Sequence, residues 1–249
     1  MIKTVMFDMG GTLEDIYTDE KSIQNAVREV ILILKYHGID LQNTPEDVRK
    51  KLLAGWDRYA VYRDYSMREL KPEEIWGNYV LTDFGIGFKE AEGFAEELAH
   101  SWEVTYYHRS LRPRVSEMLS GLKSLGLKLG IISNTASLFQ VFDILEEYGI
   151  RGYFSDVTLS SVTGYRKPHP YIFKISLDQL EADPIECAYV GDTYSRDIIG
   201  SHNAGFGKTF HINSHLTKIK DAQTHTDYKA DYSLMDIYDV FPILRDLNK

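Results

Sequence analysis

The sequence predicts an α/β protein: a Rossmann-like parallel sheet core with an inserted α-helical domain. Three observations predict it. A short apolar run, Ile2 to Phe7, ends at Asp8 and is cut off by Gly10-Gly11. Residues 19–107 then carry helical periodicity and no convincing strand. After Leu111, short apolar runs alternate with amphipathic segments as far as Leu247. Alternation of this kind implies a parallel sheet covered by helices on both faces. The first strand belongs to that sheet, so residues 1–17 and 109–249 are expected to form the core and 18–108 the insertion.

Each element has a local reason. Gly10-Gly11 suits a tight turn after the first strand. Ile23, Val27, Val30, Ile31 and Leu34 share one face of a first helix, which Gly38 stops. Thr44-Pro45-Glu46-Asp47 starts a second, with Thr44 as N-cap and Pro45 in the first turn. Lys71-Pro72-Glu73-Glu74 opens a third, and a fourth is expected over 89–107. This block holds Trp56, Trp76 and Trp102, all the tryptophans of the chain. Beyond it, Val115, Met118, Leu119, Leu122 and Leu125 form a helical stripe. Strands are expected at 127–132, 157–159, 188–190 and 208–212, with helices over 138–148, 170–181, 196–203 and 237–247.

Composition bounds the function. The formal charge of −9 argues against broad neutralisation of a nucleic-acid backbone, so no nucleic acid is expected as partner. It leaves room for a small phosphorylated substrate, because local cations in a cleft can outweigh a distant surface field. The single cysteine, Cys187, permits no intrachain disulfide and fits a reducing compartment. The longest aliphatic run, Val30 to Leu34, is far too short to span a bilayer, so no membrane association is expected. Met1 leads straight into the first strand without secretory-signal features, and the expected location is cytoplasmic. Nothing in the sequence sets the oligomeric state. The histidines form no ligand cluster: His211 and His215 follow a strand, and His169 lies in a Pro-His-Pro loop.

Polar groups stand at successive strand ends. They are Asp8-Met9-Gly10-Gly11-Thr12, then Ser133-Asn134-Thr135, then Arg166-Lys167-Pro168, then Gly191-Asp192-Thr193 with Asp197 beyond. In a parallel sheet these converge on one rim, where ligands of such folds bind. Alone, each is an ordinary turn or capping residue; the joint placement carries the reading.

These segments, in this order and spacing, resemble the four motifs of the haloacid dehalogenase superfamily. The likeness extends over nearly the whole chain, and the helical insertion resembles that superfamily's cap domain. The resemblance implies hydrolysis of a small phosphorylated metabolite through an aspartyl-phosphate on Asp8. Lys167 would balance the charge of Asp8 and the phosphoryl group. Ser133, Thr12 and Asn134, with neighbouring backbone N–H groups, would bind phosphoryl oxygens. Asp8, Asp192, Asp197 and the Gly10 carbonyl would hold Mg²⁺, a hard cation that takes oxygen ligands. Within the cap, Arg58 and Arg63 are candidate substrate anchors, and 16–18 and 108–110 are natural hinges.

One position departs from the pattern. Phosphatases of the superfamily carry a second aspartate two residues after the nucleophile, which protonates the leaving oxygen. Here it is Gly10, and proton transfer of that kind is worth about 10²–10⁴-fold in rate. A substitute acid such as Glu14 or Asp15, a good leaving group, or a redirected reaction is then required. The alternatives are cleavage of a C–P bond, with Lys50 or Lys51 as imine-forming lysine, cleavage of a C–halogen bond, or a catalytically weak protein that binds a phosphometabolite or partner.

Overall fold

The structure, a computed structural model, describes residues 1–214, 217, 221–222 and 224–249. Strand β1 (Thr4–Phe7) is buried from end to end. Successive side chains of a strand point to opposite faces. Val5 and Phe7 accordingly pack with Val115, Leu119, Val141, Leu145 and Leu244, while Met6 packs with Ile172, Phe173 and Leu177. The same alternation recurs in the neighbouring strands. Leu129 and Ile131 join the first cluster and Ile132 the second. Burial on both faces is why these strands read as unbroken apolar runs.

The chain continues through β2 (Glu14–Tyr17), α1 (Glu20–Tyr36), α2 (Pro45–Ser66), α3 (Pro72–Ile75), α4 (Phe88–Ala91), α5 (Ala95–Thr105) and β3 (His108–Leu111). It then alternates: α6 (Val115–Ser124), β4 (Lys128–Ser133), α7 (Gln140–Glu147), β5 (Asp156–Leu159), α8 (Ser160–Thr163), α9 (Pro170–Leu180), β6 (Cys187–Gly191), α10 (Ile199–Asn203), β7 (Lys208–Ile212) and β8 (Tyr232–Leu234). A final helix, Val240–Leu247, packs on α6 through Val240 and Leu244.

Six strands form one parallel sheet in the order β5-β4-β1-β6-β7-β8. The chain builds outward from β1 through β4 and β5, then crosses to the other side for β6. Phe7 lies level with Ile131 of β4 and Val190 of β6. The residues after these strands therefore emerge side by side where the strand order reverses. The helical insertion between β1 and β4 encloses a separate apolar cluster around Val30, Leu34, Leu52, Tyr59, Trp76, Leu98 and Trp102.

Most helix starts follow the sequence. Thr44 Oγ1 accepts from the Asp47 N–H at 3.2 Å, and Asp19 and Ser22 form a capping box at the head of α1. Four features differ. The helix expected over 89–107 is divided into α4 and α5, with Gly93 between them; glycine costs a helix interior about 1 kcal/mol relative to alanine. The helix expected from 196 opens as a π-type turn, Tyr194–Ile198, before α10. Residues 16–17 and 108–110 of the expected hinges form an antiparallel ribbon the sequence did not show, with Glu14 opposite Leu111 and Tyr17 opposite His108. Strand β8 adds an edge whose three residues are too few to show a period. Among the described residues no helix is long and apolar enough to cross a membrane.

Candidate active site

The rim is built by backbone geometry first. The Asp8 N–H donates to the Val190 carbonyl at 2.9 Å, which pins the end of β1 to β6. The chain then turns back on itself, with the N–H groups of Thr12, Leu13 and Glu14 all within 3.3 Å of the Met9 carbonyl. Gly11 takes φ +94°, and a Cβ there would stand 2.3 Å from Asp192 Oδ2. A side chain at residue 11 would therefore drive the loop off Asp192.

Lys167 is the centre of the cluster. Its Nζ donates to Asp8 Oδ1 at 2.7 Å, Asp197 Oδ1 at 2.7 Å and Tyr189 Oη at 3.0 Å. An ammonium has three donors, and all are engaged. Burial alone would push Lys167 down, but Asp197 and Asp8 outweigh it and hold the group above its ordinary value. Asn134 braces the backbone here. Its Oδ1 accepts from the Lys167 N–H at 2.8 Å and its Nδ2 donates to the Lys167 carbonyl at 3.1 Å. Asn134 thus grips the lysine loop itself, beyond the substrate-binding role expected of it.

Asp197 is buried, which would raise its pKa, yet Lys167 and Thr193 hold it below the ordinary carboxylate range. Its Oδ1 also accepts from Tyr189 Oη at 3.1 Å, and its Oδ2 accepts from Thr193 N at 3.0 Å and Thr193 Oγ1 at 2.6 Å. Asp192 lies on the other side of the loop. Ser214 Oγ donates to its Oδ2 at 2.5 Å. The Asp192 carbonyl contacts His211 Nε2 at 3.0 Å and accepts from Thr217 Oγ1 at 2.5 Å. Burial lowers the pKa of His211, so its ring is neutral and positions a backbone rather than carrying charge. His215 lies outside the described residues.

Carboxylate oxygens of Asp8, Asp192 and Asp197 all lie within 4.8 Å of one another, and all three residues are buried. Hard oxygen donors at this spacing could hold a divalent cation. Spacing and hydrogen bonding diverge at Asp197. Its roughly four lone-pair directions already meet Lys167, Tyr189 and two Thr193 donors. Direct ligation would displace one of them, so Asp197 is better placed to hold Lys167 than to grip a cation.

A cleft of about 360 Å³ opens over Asp8, Gly10, Ser133, Asn134 and Lys167, and Arg63 of α2 reaches its wall. Two other candidates lie elsewhere. Thr12 is fully buried away from the cleft lining. Arg58 donates to Asp83 Oδ2 at 3.1 Å, the Tyr79 carbonyl at 2.9 Å and Thr82 Oγ1 at 3.0 Å, and is spent within the insertion. Lys51 donates to the Asp83 carbonyl at 3.1 Å, and neither it nor Lys50 lines the cleft.

The Gly10 position is closed over by Ile16, whose Cδ1 would stand 2.9 Å from a Cβ at residue 10. Glu14 Oε1 would stand 3.7 Å from that Cβ. Glu14, one of the candidate substitute acids, is fully buried. It pairs with Arg109, which lines the cleft, and accepts from Tyr148 Oη at 3.0 Å. Burial raises its pKa, against the pull of Arg109. Asp15, by contrast, is exposed and pairs with Arg112 at 3.0 Å.

Several residues of the site gave no sequence motif. Tyr189 had a signal: it alternates with Ala188 and Val190 toward the other face of β6, where a polar ring end needs partners. Arg109 and Arg196 stand on the cleft wall only because remote segments bring them there.

A parallel sheet with an acidic, lysine-centred cluster at its switch point defines a hydrolase of Rossmann-like architecture. The family described as haloacid dehalogenase-like hydrolase matches residues 2–205, and the chain belongs to that family. A phosphoglycolate phosphatase of Vibrio vulnificus is 35% identical over 244 residues, 96% of each chain. A glyceraldehyde 3-phosphate phosphatase of Methanopyrus kandleri is 24% identical over the full length of both chains. In fold the chain resembles a 2-haloacid dehalogenase from Pseudomonas syringae, with TM-score 0.68, 21% identity and coverage of 99% and 100%. It also resembles a HAD phosphatase from Thermococcus onnurineus, with TM-score 0.60, 22% identity and 98% coverage of each.

Proposed function

We propose that this chain is a Mg²⁺-dependent phosphatase of small phosphorylated metabolites, with Asp8 as nucleophile and residues 18–108 as a cap domain. The observation that carries the reading is the single ammonium of Lys167, which lines the cleft with Asp8 and is bound at 2.7 Å both to Asp8 and to the buried Asp197 behind it. That arrangement sets an ammonium beside the Asp8 carboxylate where a phosphoryl group would approach. The full-length relatives that carry phosphatase names support the substrate class.

Asp8 Oδ attacks phosphorus, the P–O bond to the alcohol breaks, and an aspartyl-phosphate forms. Water then attacks phosphorus, releasing inorganic phosphate and restoring the carboxylate. Ser133, on the cleft wall, binds a phosphoryl oxygen. Mg²⁺ held by Asp8, Asp192 and the Gly10 carbonyl, with Asp197 beside it, would supply positive charge against the phosphate. Glu14 faces Arg109 and Tyr148 rather than the cleft, so it does not stand in as the missing acid. With no side-chain acid at residue 10, the departing oxygen takes its proton from water in the cleft, on whose wall Glu14 and Glu103 hold Arg109. The buried acidic cluster favours phosphate over halide chemistry, since a departing halide needs no cation beside it. With Lys50 and Lys51 off the cleft, no lysine of that pair serves C–P cleavage.

The test is a screen of phosphorylated metabolites with and without Mg²⁺, with Asp8→Asn as blank. Metal-dependent phosphate release by the wild type alone is expected. Release that persists in Asp8→Asn would remove Asp8 from the chemistry.

A further inference from the structure

The cleft is lined by Lys167 and four arginines, Arg63, Arg109, Arg166 and Arg196. They differ in what balances them. Lys167 has Asp8 and Asp197, Arg166 has the buried Glu69, and Arg109 has Glu14 and Glu103. Arg196 has no hydrogen bond or ion pair with any described residue, although it is only part exposed. Arg63 has its Nε shielded from solvent with no hydrogen-bond acceptor, and its ion pair is the distant Asp64 at 3.9 Å.

A guanidinium does not shed its proton in proteins, so shielding it without an acceptor is costly. Arg63 and Arg196 line the same cleft wall as Arg166. Arg63 and Arg196 are therefore the two cations of the cleft wall without a close carboxylate among the described residues, in a chain whose overall charge is −9. A planar fork of donors suits a carboxylate or a phosphoryl group.

We propose that Arg63 and Arg196 form a subsite for a second anionic group of the substrate, a carboxylate or a further phosphoryl group, while its first phosphoryl group meets Asp8. The inference rests on the phosphatase reading above for the role of Asp8. Arg63 belongs to α2 in the insertion and Arg196 follows β6 in the sheet core. A doubly anionic substrate would therefore tie the two parts together over the cleft, whereas an ester with a neutral tail would not.

The test uses three matched phosphate esters: one of a three-carbon hydroxy acid, one of the corresponding neutral alcohol, and a three-carbon bisphosphate. Two readouts are taken: kcat/KM with the wild-type protein, and calorimetric binding to Asp8→Asn. A preference for the acid ester or for the bisphosphate over the neutral ester is expected, and which of them wins identifies the second group. Arg196→Gln and, independently, Arg63→Gln should each lower that preference about 10- to 100-fold, the worth of one charged hydrogen-bonded contact. Arg196→Lys should retain part of it. Equal use and equal binding of all three esters by the wild type would overturn the subsite. So would variants that weaken all three alike. Preferential binding without turnover of any ester would sink the phosphatase reading and leave the subsite standing. Turnover without preference would do the reverse.

Discussion

Gly10 is where the chemistry of this chain turns. A side chain there would project toward Ile16 Cδ1 at 2.9 Å, the far end of a flexible side chain, and past it toward Glu14 at 3.7 Å. Gly10→Asp is therefore accommodated by a small movement of Ile16, most simply combined with Ile16→Val. If the remaining machinery is a phosphatase site, this double variant should hydrolyse alkyl phosphates faster, on the order of 10²–10⁴-fold. Esters with good leaving groups should gain much less, because they need no proton. Equal gains on both would show that the acid is not what Gly10 removed. At this scale the sequence was informative about which residues meet: Asp8 and Asp192 stand just past strand ends, and Lys167 in the loop before α9 reaches Asp8. It was silent where the role depends on what folds against the residue. Glu14 reads as a candidate acid in the sequence, yet it is sealed in by Arg109 and Tyr148. Arg58 reads as an anchor and is consumed by Asp83 and its neighbours.

At the scale of elements, the insertion is fastened to the sheet core at two places beside the cleft. On one side Glu69 pairs with Arg166, accepts from Ser160 Oγ at 2.7 Å, and receives the Tyr59 hydroxyl. The backbone follows: the Arg166 N–H donates to the Met67 carbonyl at 3.0 Å and the Glu69 N–H to the Gly164 carbonyl at 3.2 Å. Glu69→Gln would leave Arg166 as a buried charge without its partner, a loss of about 3–5 kcal/mol. Urea unfolding should show it as a shifted midpoint, and a loss under 1 kcal/mol would contradict the account. On the other side Glu96 of α5 accepts from Ser137 Oγ at 2.6 Å and from the N–H groups of Leu138 at 3.0 Å and Phe139 at 3.3 Å. Burial raises Glu96 above its ordinary value of 4.5 despite those donors. Between the ordinary and the raised value the folded protein therefore holds a proton that the unfolded chain has lost. The stability contributed by this group is complete below 4.5 and fades as pH rises through the raised value. The melting temperature of the wild type relative to Glu96→Gln should thus decline with rising pH across that window; a rise would refute the burial argument. Neither fastening is visible in local periodicity, since each joins segments far apart in the chain. The ribbon of β2 and β3 escaped the sequence reading for the same reason, whereas Gly93, which divides α4 from α5, was there to be read.

Across the whole molecule, one architectural fact organises the rest. The strands flanking β1 are added in opposite directions, so the ends of β1, β4 and β6 open onto a common crevice. Alternating runs of apolar residues made that sheet legible, because a strand buried on both faces has little freedom in composition. The edge strand β8 was not legible, since three residues carry too little pattern. The insertion's own apolar cluster was legible as helices, but which of its aromatics pack and which reach the cleft was not. Trp56, Trp76 and Trp102 pack together with ring centroids 5.6–6.1 Å apart, whereas Tyr106 and Tyr107 reach the cleft wall beside Arg63. An overall negative chain thus gathers Lys167 and four arginines on one cleft wall, of which Arg63 and Arg196 have no close carboxylate among the described residues.

The most direct measurement is mass spectrometry of the protein quenched in acid during turnover of a phosphate ester with Mg²⁺ present. The account predicts a phosphoryl adduct on the peptide that carries Asp8, and none in Asp8→Asn. Turnover at an undiminished rate with the adduct on another residue, or with no adduct even when aspartyl-phosphate breakdown is slowed, would contradict it.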